Sequence, residues 1–295
     1  METKIARFIF ACICILAVAS CSKDDDLKFV SNGAKLGAYE SRIEVPKLKS
    51  RGTLFIQHST KSNNDSVMTY CMEYDTVKNH SRWVAFRFDG KTRAKGSGRS
   101  NDAWADDPKL PAKYQIGAGY FQGYQRGHLC ASYDRQYSTE ANKQTFYMSN
   151  MSPMQGNFNT NYWTTFESYV QEKGRNTSFA DTLYVVKGGT IENGMTQGTT
   201  LSGGSKSIVV PKYYFIALLR YFAGSYSAIG FWVEHRDYGY NKSSAPTSVL
   251  KEKAVNIDEL EENTGIDFFH NLPDNIEKSV ESEDIETLKS VWGLK

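Results

Sequence analysis

The side chains best suited to chemistry crowd into the stretch Tyr124 to Glu167. Gln125-Arg126-Gly127-His128 sets a cation, a glycine and an imidazole in consecutive positions. Asn150, Gln155, Asn157, Asn159 and Asn161 follow as a run of amides, and Glu167 closes the stretch. A neutral imidazole titrates near working pH and can take a proton from water. A guanidinium fits two oxygens of a phosphate at once, and amide or carboxylate oxygens suit a hard divalent cation that keeps its waters. Each residue alone has a plainer reading: Arg-Gly-His as an ordinary turn, and an Asn before a helix as its cap. Their joint order and spacing favour a site.

Three elements have to position this set. Gln144 to Met148 reads as a short strand, and the amide-rich segment after it reads as a turn. Asn159, Trp163, Phe166 and Val170 then recur at intervals of four, three and four, the period of one helical face, with Gly174 as the stop. The helix is expected to start near Asn159 or Asn161. In a regular helix Asn159 and Glu167 differ by roughly 80° around the axis and ~12 Å along it. They can serve one cleft, but both can touch one ion only if the first turn is distorted.

The chain begins with an address. Lys4 and Arg7 precede the apolar run Phe8 to Val18, which ends in Val18-Ala19-Ser20-Cys21. A charged segment, a short apolar run and small residues before the break describe a signal peptide over residues 1–20. The ending resembles a bacterial lipobox, which implies lipidation at Cys21 and a membrane anchor. Ser22-Lys23-Asp24-Asp25-Asp26 reads as a solvated tether. It also resembles the acidic signal that sends Bacteroidetes-type lipoproteins to the outer face of the outer membrane, so the expected location is that surface or secretion. Residues 21–50 read as lipidated cysteine and linker, and 51–295 as the folded domain.

Cys71 and Cys130 remain for that domain, as a disulfide or as two buried thiols. Without a C-x-x-C or His-x-His companion, the neighbourhood of Cys130 and His128 does not spell a zinc site. The net charge is only +2, so no strong overall basic field marks a nucleic-acid binder. Its distribution is uneven. Arg82 to Arg135 holds ten Lys/Arg against five Asp/Glu, whereas Glu252 to Glu286 holds two Lys against twelve acids. A basic face beside Arg126 suits a polyanion, and the acidic end should face away from it.

Ser66–Asp75 and Arg82–Phe88 read as strands joined by the turn Val77-Lys78-Asn79-His80, with His80 facing solvent. Gly90 to Tyr124 lacks periodicity and reads as a long functional loop. Thr182–Lys187, Ser207–Val210, Tyr213–Tyr221 and Ser227–Glu234 read as further strands, the Tyr213 run with a helical alternative. Ile257–Asn263 and Ile276–Glu281 read as acidic helices. With no internal repeat or second linker, this mixture predicts one α+β domain.

The central stretch resembles the DNA/RNA non-specific endonucleases of the ββα-metal, or His-Me finger, superfamily. Their Asp-Arg-Gly-His, Asn-Met-x-Pro-Gln-like turn, and Asn, Trp and Glu at spacings of four correspond to Gln125–His128, Asn150–Gln155, Asn159, Trp163 and Glu167. Weaker likeness runs through Val210–Tyr213 and Thr264–Phe269. The resemblance implies a mainly antiparallel sheet with a ββα-metal element, and metal-dependent, sequence-non-specific hydrolysis of DNA and RNA. It gives His128 the role of general base, Arg126 that of phosphate ligand, Asn159 that of metal ligand and Glu167 that of supporting carboxylate. Mg²⁺ is the implied ion, with Mn²⁺ as the alternative; no protein partner is implied.

Three departures stand out. Gln125 replaces the family's Asp, Ala105 an upstream phosphate-binding Arg, and Gln171 another Arg one turn after the Glu. Arg99, Lys109 and Arg175 are the candidates to compensate. The alternatives are an impaired relative that only binds nucleic acid, and a non-enzymatic surface-binding lipoprotein.

Overall fold

A computed structural model of the chain describes residues 28–29, 41–62, 65–101, 103–202, 206–241 and 243–294. The proposed signal peptide, Cys21 and the acidic tether lie outside them. Strands are β1 (Lys28–Phe29), β2 (Thr53–Ser62), β3 (Asp65–Asp75), β4 (His80–Phe88), β5 (Gln125–His128), β6 (Met151–Met154), β7 (Thr182–Gly189), β8 (Thr196–Ser202), β9 (Ser207–Pro211), β10 (Tyr213–Phe222), β11 (Ser225–Glu234) and β12 (Ala254–Val255). Helices are α1 (Thr139–Gln144), α2 (Thr164–Arg175), α3 (Ser248–Lys253), α4 (Ile257–Thr264), α5 (Asp274–Glu281) and α6 (Ile285–Val291).

Eight strands form one antiparallel sheet in the order β1-β2-β3-β4-β7-β10-β11-β12. Alternation along the strands feeds two cores. Val84, Phe86 and Phe88 of β4, with Tyr214, Ile216 and Leu218 of β10, face a core shared with Phe166 and Val170 of α2 and Leu288 of α6. Trp83, Ala85, Phe215, Ala217 and Leu219 face the other core, shared with Ile257 and Leu260 of α4 and Val280 of α5. Because both faces are covered, Tyr213 to Phe222 reads as an apolar run, which is why helix and strand were hard to separate there.

Four expectations are corrected. Gln144–Met148 is not a strand: Gln144 ends α1, and Phe146 is buried against Trp104 and His128 without a regular ladder. His80 is buried, because Asn79 takes a left-handed φ of 51° and completes the turn one residue earlier. The linker does not run to residue 50. Val45 is buried in the second core and the Lys47 N–H donates to the Asp267 carbonyl at 2.9 Å, contacts too distant in sequence for a linear reading to find. Gly174 lies within α2 rather than stopping it; a Cβ there would come within 2.3 Å of Phe88, so glycine permits close packing of helix on sheet. Cys71 and Cys130 are separately buried thiols.

Candidate active site

β5 and β6 pair antiparallel, with Gly127 opposite Ser152 and His128 opposite Met151. A Cβ on Gly127 would stand 2.2 Å from Met154 Sδ, so only glycine lets the two strands close with Met154 buried between them and the core. The floor of the hairpin is fixed by hydrogen bonds. His80 Nε2 meets Ser152 Oγ at 2.7 Å, and Tyr214 Oη lies 2.6 Å from Ser152 Oγ and donates to the Pro153 carbonyl at 2.8 Å. Burial drives the His80 imidazole down to about 4, so it serves here as a neutral strut.

The chain leaves β6 and enters a π-helical turn, Phe158–Trp163, before α2. Three hydrogen bonds accompany it. Thr160 and Thr164 hydroxyls bond back to the carbonyls of Gly156 (2.8 Å) and Thr160 (3.0 Å), and the Ala245 N–H takes the Asn161 carbonyl at 2.6 Å. Each contact draws a carbonyl away from the regular ladder. This is the distorted first turn that would let Asn159 and Glu167 address a common centre. Phe158, Trp163, Phe166 and Val170 meanwhile anchor the same segment in the core.

Strand pair, π turn and α2 enclose a cleft of ≈ 680 Å³ whose walls include Arg99, Trp104, Gln125, Arg126, His128, Asn159 and Glu167. His128 lines the cleft, and its Nε2 is buried without a hydrogen-bond partner. Burial first, then the charges of Arg99, Lys187 and Arg126, push this imidazole down to about 3 and keep it neutral. Glu167 moves the other way, to about 7. Burial raises it, the Lys187 charge opposes, Asp134 adds to the rise and Arg99 again opposes. A cation delivered to the cleft would favour its ionised form.

The donor set fits a hard divalent ion. Asn159 Nδ2 donates to Gln125 Oε1 at 2.8 Å, a bond that couples the two amides at the cleft wall and leaves Asn159 Oδ1 outside it. Gln125 brings an uncharged amide to this wall of the cleft, so the oxygen it presents carries no negative charge. Glu167 stands in the same cleft with its carboxyl raised to about 7, so that positive charge arriving there shifts it toward the ionised form.

The remaining candidates divide. Arg99 lines the cleft, donating to Ser132 Oγ at 2.6 Å and lying over Phe146. Arg126 lines it with its guanidinium 3.9 Å above Trp104. Lys109 and Arg175 do not line it; Arg175 bonds to the carbonyls of Tyr133 and Gln171, and Lys109 follows the buried Asp107 on the loop. Gln171 is committed below the floor, donating to Asp134 Oδ1 at 3.1 Å. There Asp134 also holds Lys187 Nζ at 2.6 Å, both side chains fully buried. Sequence reasoning missed Lys187, Asp134 and Trp104: the pair is separated by 53 residues, and no local pattern announces it.

A family model described as DNA/RNA non-specific endonuclease matches residues 50–275. A protein named Nuclease from Nostoc sp. is 31% identical over 219 residues, covering 72% of this chain and 76% of the relative. Nuclease 1, mitochondrial, from Schizosaccharomyces pombe is 30% identical, covering 64% of this chain and 60% of its own length. Human Endonuclease G, mitochondrial, is 26% identical, with coverage of 69% and 68%. A chain in a crystal structure of the EndoG/EndoGI complex superposes with a TM-score of 0.59 at 20% identity, covering 75% of this chain and 89% of that one, and shares the fold.

Proposed function

Because the chain belongs to the DNA/RNA non-specific endonuclease family, we propose that its cleft hydrolyses phosphodiester bonds of both DNA and RNA in a metal-dependent reaction without sequence preference. The observation that carries this reading is the convergence of His128, Arg126, Asn159 and Glu167 on one cleft from β5, the π turn and α2. Arg126 and Arg99 bind phosphate oxygens, and contact through phosphate carries no sequence information. His128, held neutral, takes the proton of the attacking water on its imidazole. Asn159 would hold the ion through its amide oxygen, with Glu167 as the supporting carboxylate beside it. Mg²⁺, or Mn²⁺ in its place, supplies neutralisation of the developing phosphoryl charge when bound. Trp104 backs Arg126 and His128 with its ring, which limits where both can point.

Plasmid DNA and RNA incubated with the soluble chain from residue 22, with Mg²⁺, Mn²⁺ or chelator, test the proposal. Both polymers should be cut only with metal, and His128→Ala should lower the rate by about 10²-fold or more. Glu167→Gln should lose roughly 10- to 100-fold in activity or metal affinity. A folded wild-type chain that binds DNA but cuts neither polymer in either metal refutes hydrolysis and leaves the binding reading, in which Gln125, Ala105 and Gln171 have disabled the site. The proposal also places the protein at the cell envelope through Cys21.

A further inference from the structure

The acidic end of the chain gathers at one point. One carboxylate oxygen each from Asp258 and Glu261 on α4 and Glu281 at the end of α5 lie within 4.8 Å of one another. Asp258 and Glu261 are three apart, hence neighbours on one helical face. Glu281 is only 8% exposed, and its Oε1 is buried without a hydrogen-bond partner. A buried carboxylate oxygen left unpaired beside two others is costly unless a proton or a cation joins it. The negative end of α5 falls at the same place and adds to that demand.

Among the described residues, no lysine or arginine is ion-paired with Asp258, Glu261 or Glu281. The charges that weigh most on Glu281 are those of Glu261, Glu277, Asp258 and Asp267, all of one sign, and with burial they lift it to about 8. Glu261 accepts from the Phe268 N–H at 2.6 Å, yet burial and the neighbouring acids still lift it to about 7. Lys47 is paired with Asp267 at 2.9 Å instead.

We propose that Asp258, Glu261 and Glu281 form a second divalent-cation site, for Ca²⁺ before other ions, that ties α4 to the end of α5. All-oxygen donors exclude a preference for soft metals, and two helices with one exposed ligand give the adaptable geometry that Ca²⁺ accepts better than Mg²⁺. The site is independent of the cleft. α4 and α5 pack on the opposite face of the sheet from α2, and none of the three acids lines the cleft. Its role is therefore to staple the C-terminal helices, with an affinity in the ~10⁻⁴–10⁻³ M range of open extracellular sites.

Thermal unfolding of the metal-stripped full chain with and without 10 mM CaCl₂ tests the site, in wild type, Glu281→Gln, Asp258→Asn and Asn159→Ala. Calcium should raise the wild-type midpoint by about 3–10 °C, and equally in Asn159→Ala. The shift should vanish in Glu281→Gln, whose metal-free midpoint should stay near that of wild type because the amide replaces a carboxyl that is largely protonated near neutral pH. Exposed Asp258→Asn should diminish the shift and serves if the buried substitution impairs folding. No wild-type shift overturns the proposal, as does one retained in both carboxylate variants. A shift lost only in Asn159→Ala would assign the ion to the cleft and overturn it too.

Discussion

Gly127→Ala isolates the packing that aims His128. The new methyl would lie 2.2 Å from Met154 Sδ, 2.5 Å from Cγ and 2.9 Å from Cε. Met154 is fully buried in the core that contains Phe158 and Trp163, so it has little room to retreat. Overpacking of this kind costs about 1–3 kcal/mol. Any part relieved by lifting β5 moves the adjacent imidazole, and a displacement of ~1 Å in a catalytic group costs on the order of 10²-fold in rate. Equilibrium urea unfolding and initial plasmid-cleavage rates should both report the change. Met154→Ala alone should cost about 2–5 kcal/mol through the cavity it leaves. In the double variant the new methyl occupies part of that cavity, so its loss should fall short of the sum of the singles by about 1 kcal/mol or more, with rate recovered relative to Gly127→Ala. Strictly additive stabilities, or a Gly127→Ala protein with wild-type midpoint and rate, would refute the idea that this contact sets the hairpin.

Lys187→Met should destabilise by about 3–5 kcal/mol because Asp134 is left buried without its cation, while Asp134→Asn combined with Lys187→Met should recover most of the loss; urea midpoints decide. Stability should fall with acid in a defined window. His80 is held at about 4 folded against an ordinary 6.5, so below 6.5 the unfolded chain binds a proton that the folded chain refuses. Its contribution is complete above pH 6.5 and lost towards pH 4, to a total of about 3 kcal/mol. His80→Gln should therefore flatten unfolding free energy between pH 7 and pH 5, with the remaining slope including His235, also near 4. Cys21→Ser should abolish lipid labelling in cells and release the protein from the membrane fraction; retained labelling would remove the anchor from the proposal.

Legibility followed the range over which each signal is written. Strands β3, β4, β7, β9 and β11 announce themselves through β-branched and aromatic residues between turns, β10 is an apolar run equally open to helix, and α4 and α5 read as acidic helices. The Gln125–Glu167 spacing carried the cleft because hairpin, turn and helix are consecutive. Local reading failed where burial came from elsewhere. Phe146 suggested a strand, yet its aromatic side chain packs against Trp104 from the preceding loop. The segment around Val45 looked like linker because one of its anchors, the Lys47 N–H to Asp267 carbonyl bond, spans 220 residues of sequence. Arg175 was a reasonable phosphate ligand by charge, but its guanidinium is spent on the Tyr133 and Gln171 carbonyls. Lys187 sits in a strand among apolar residues, and nothing nearby names Asp134 as the group that neutralises it.

The wide turn Phe158–Trp163 separates two settings that a uniform helix would lock together. The face on which Phe166 and Val170 anchor α2 is fixed by the sheet, while the direction of Asn159 depends on how many residues the preceding turn contains. One residue gained or lost there would swing Asn159 by about 100° relative to that anchor. The direction of Asn159 can therefore be retuned without repacking the core: the turn acts as an adjustable joint between a fixed mount and a movable pointer.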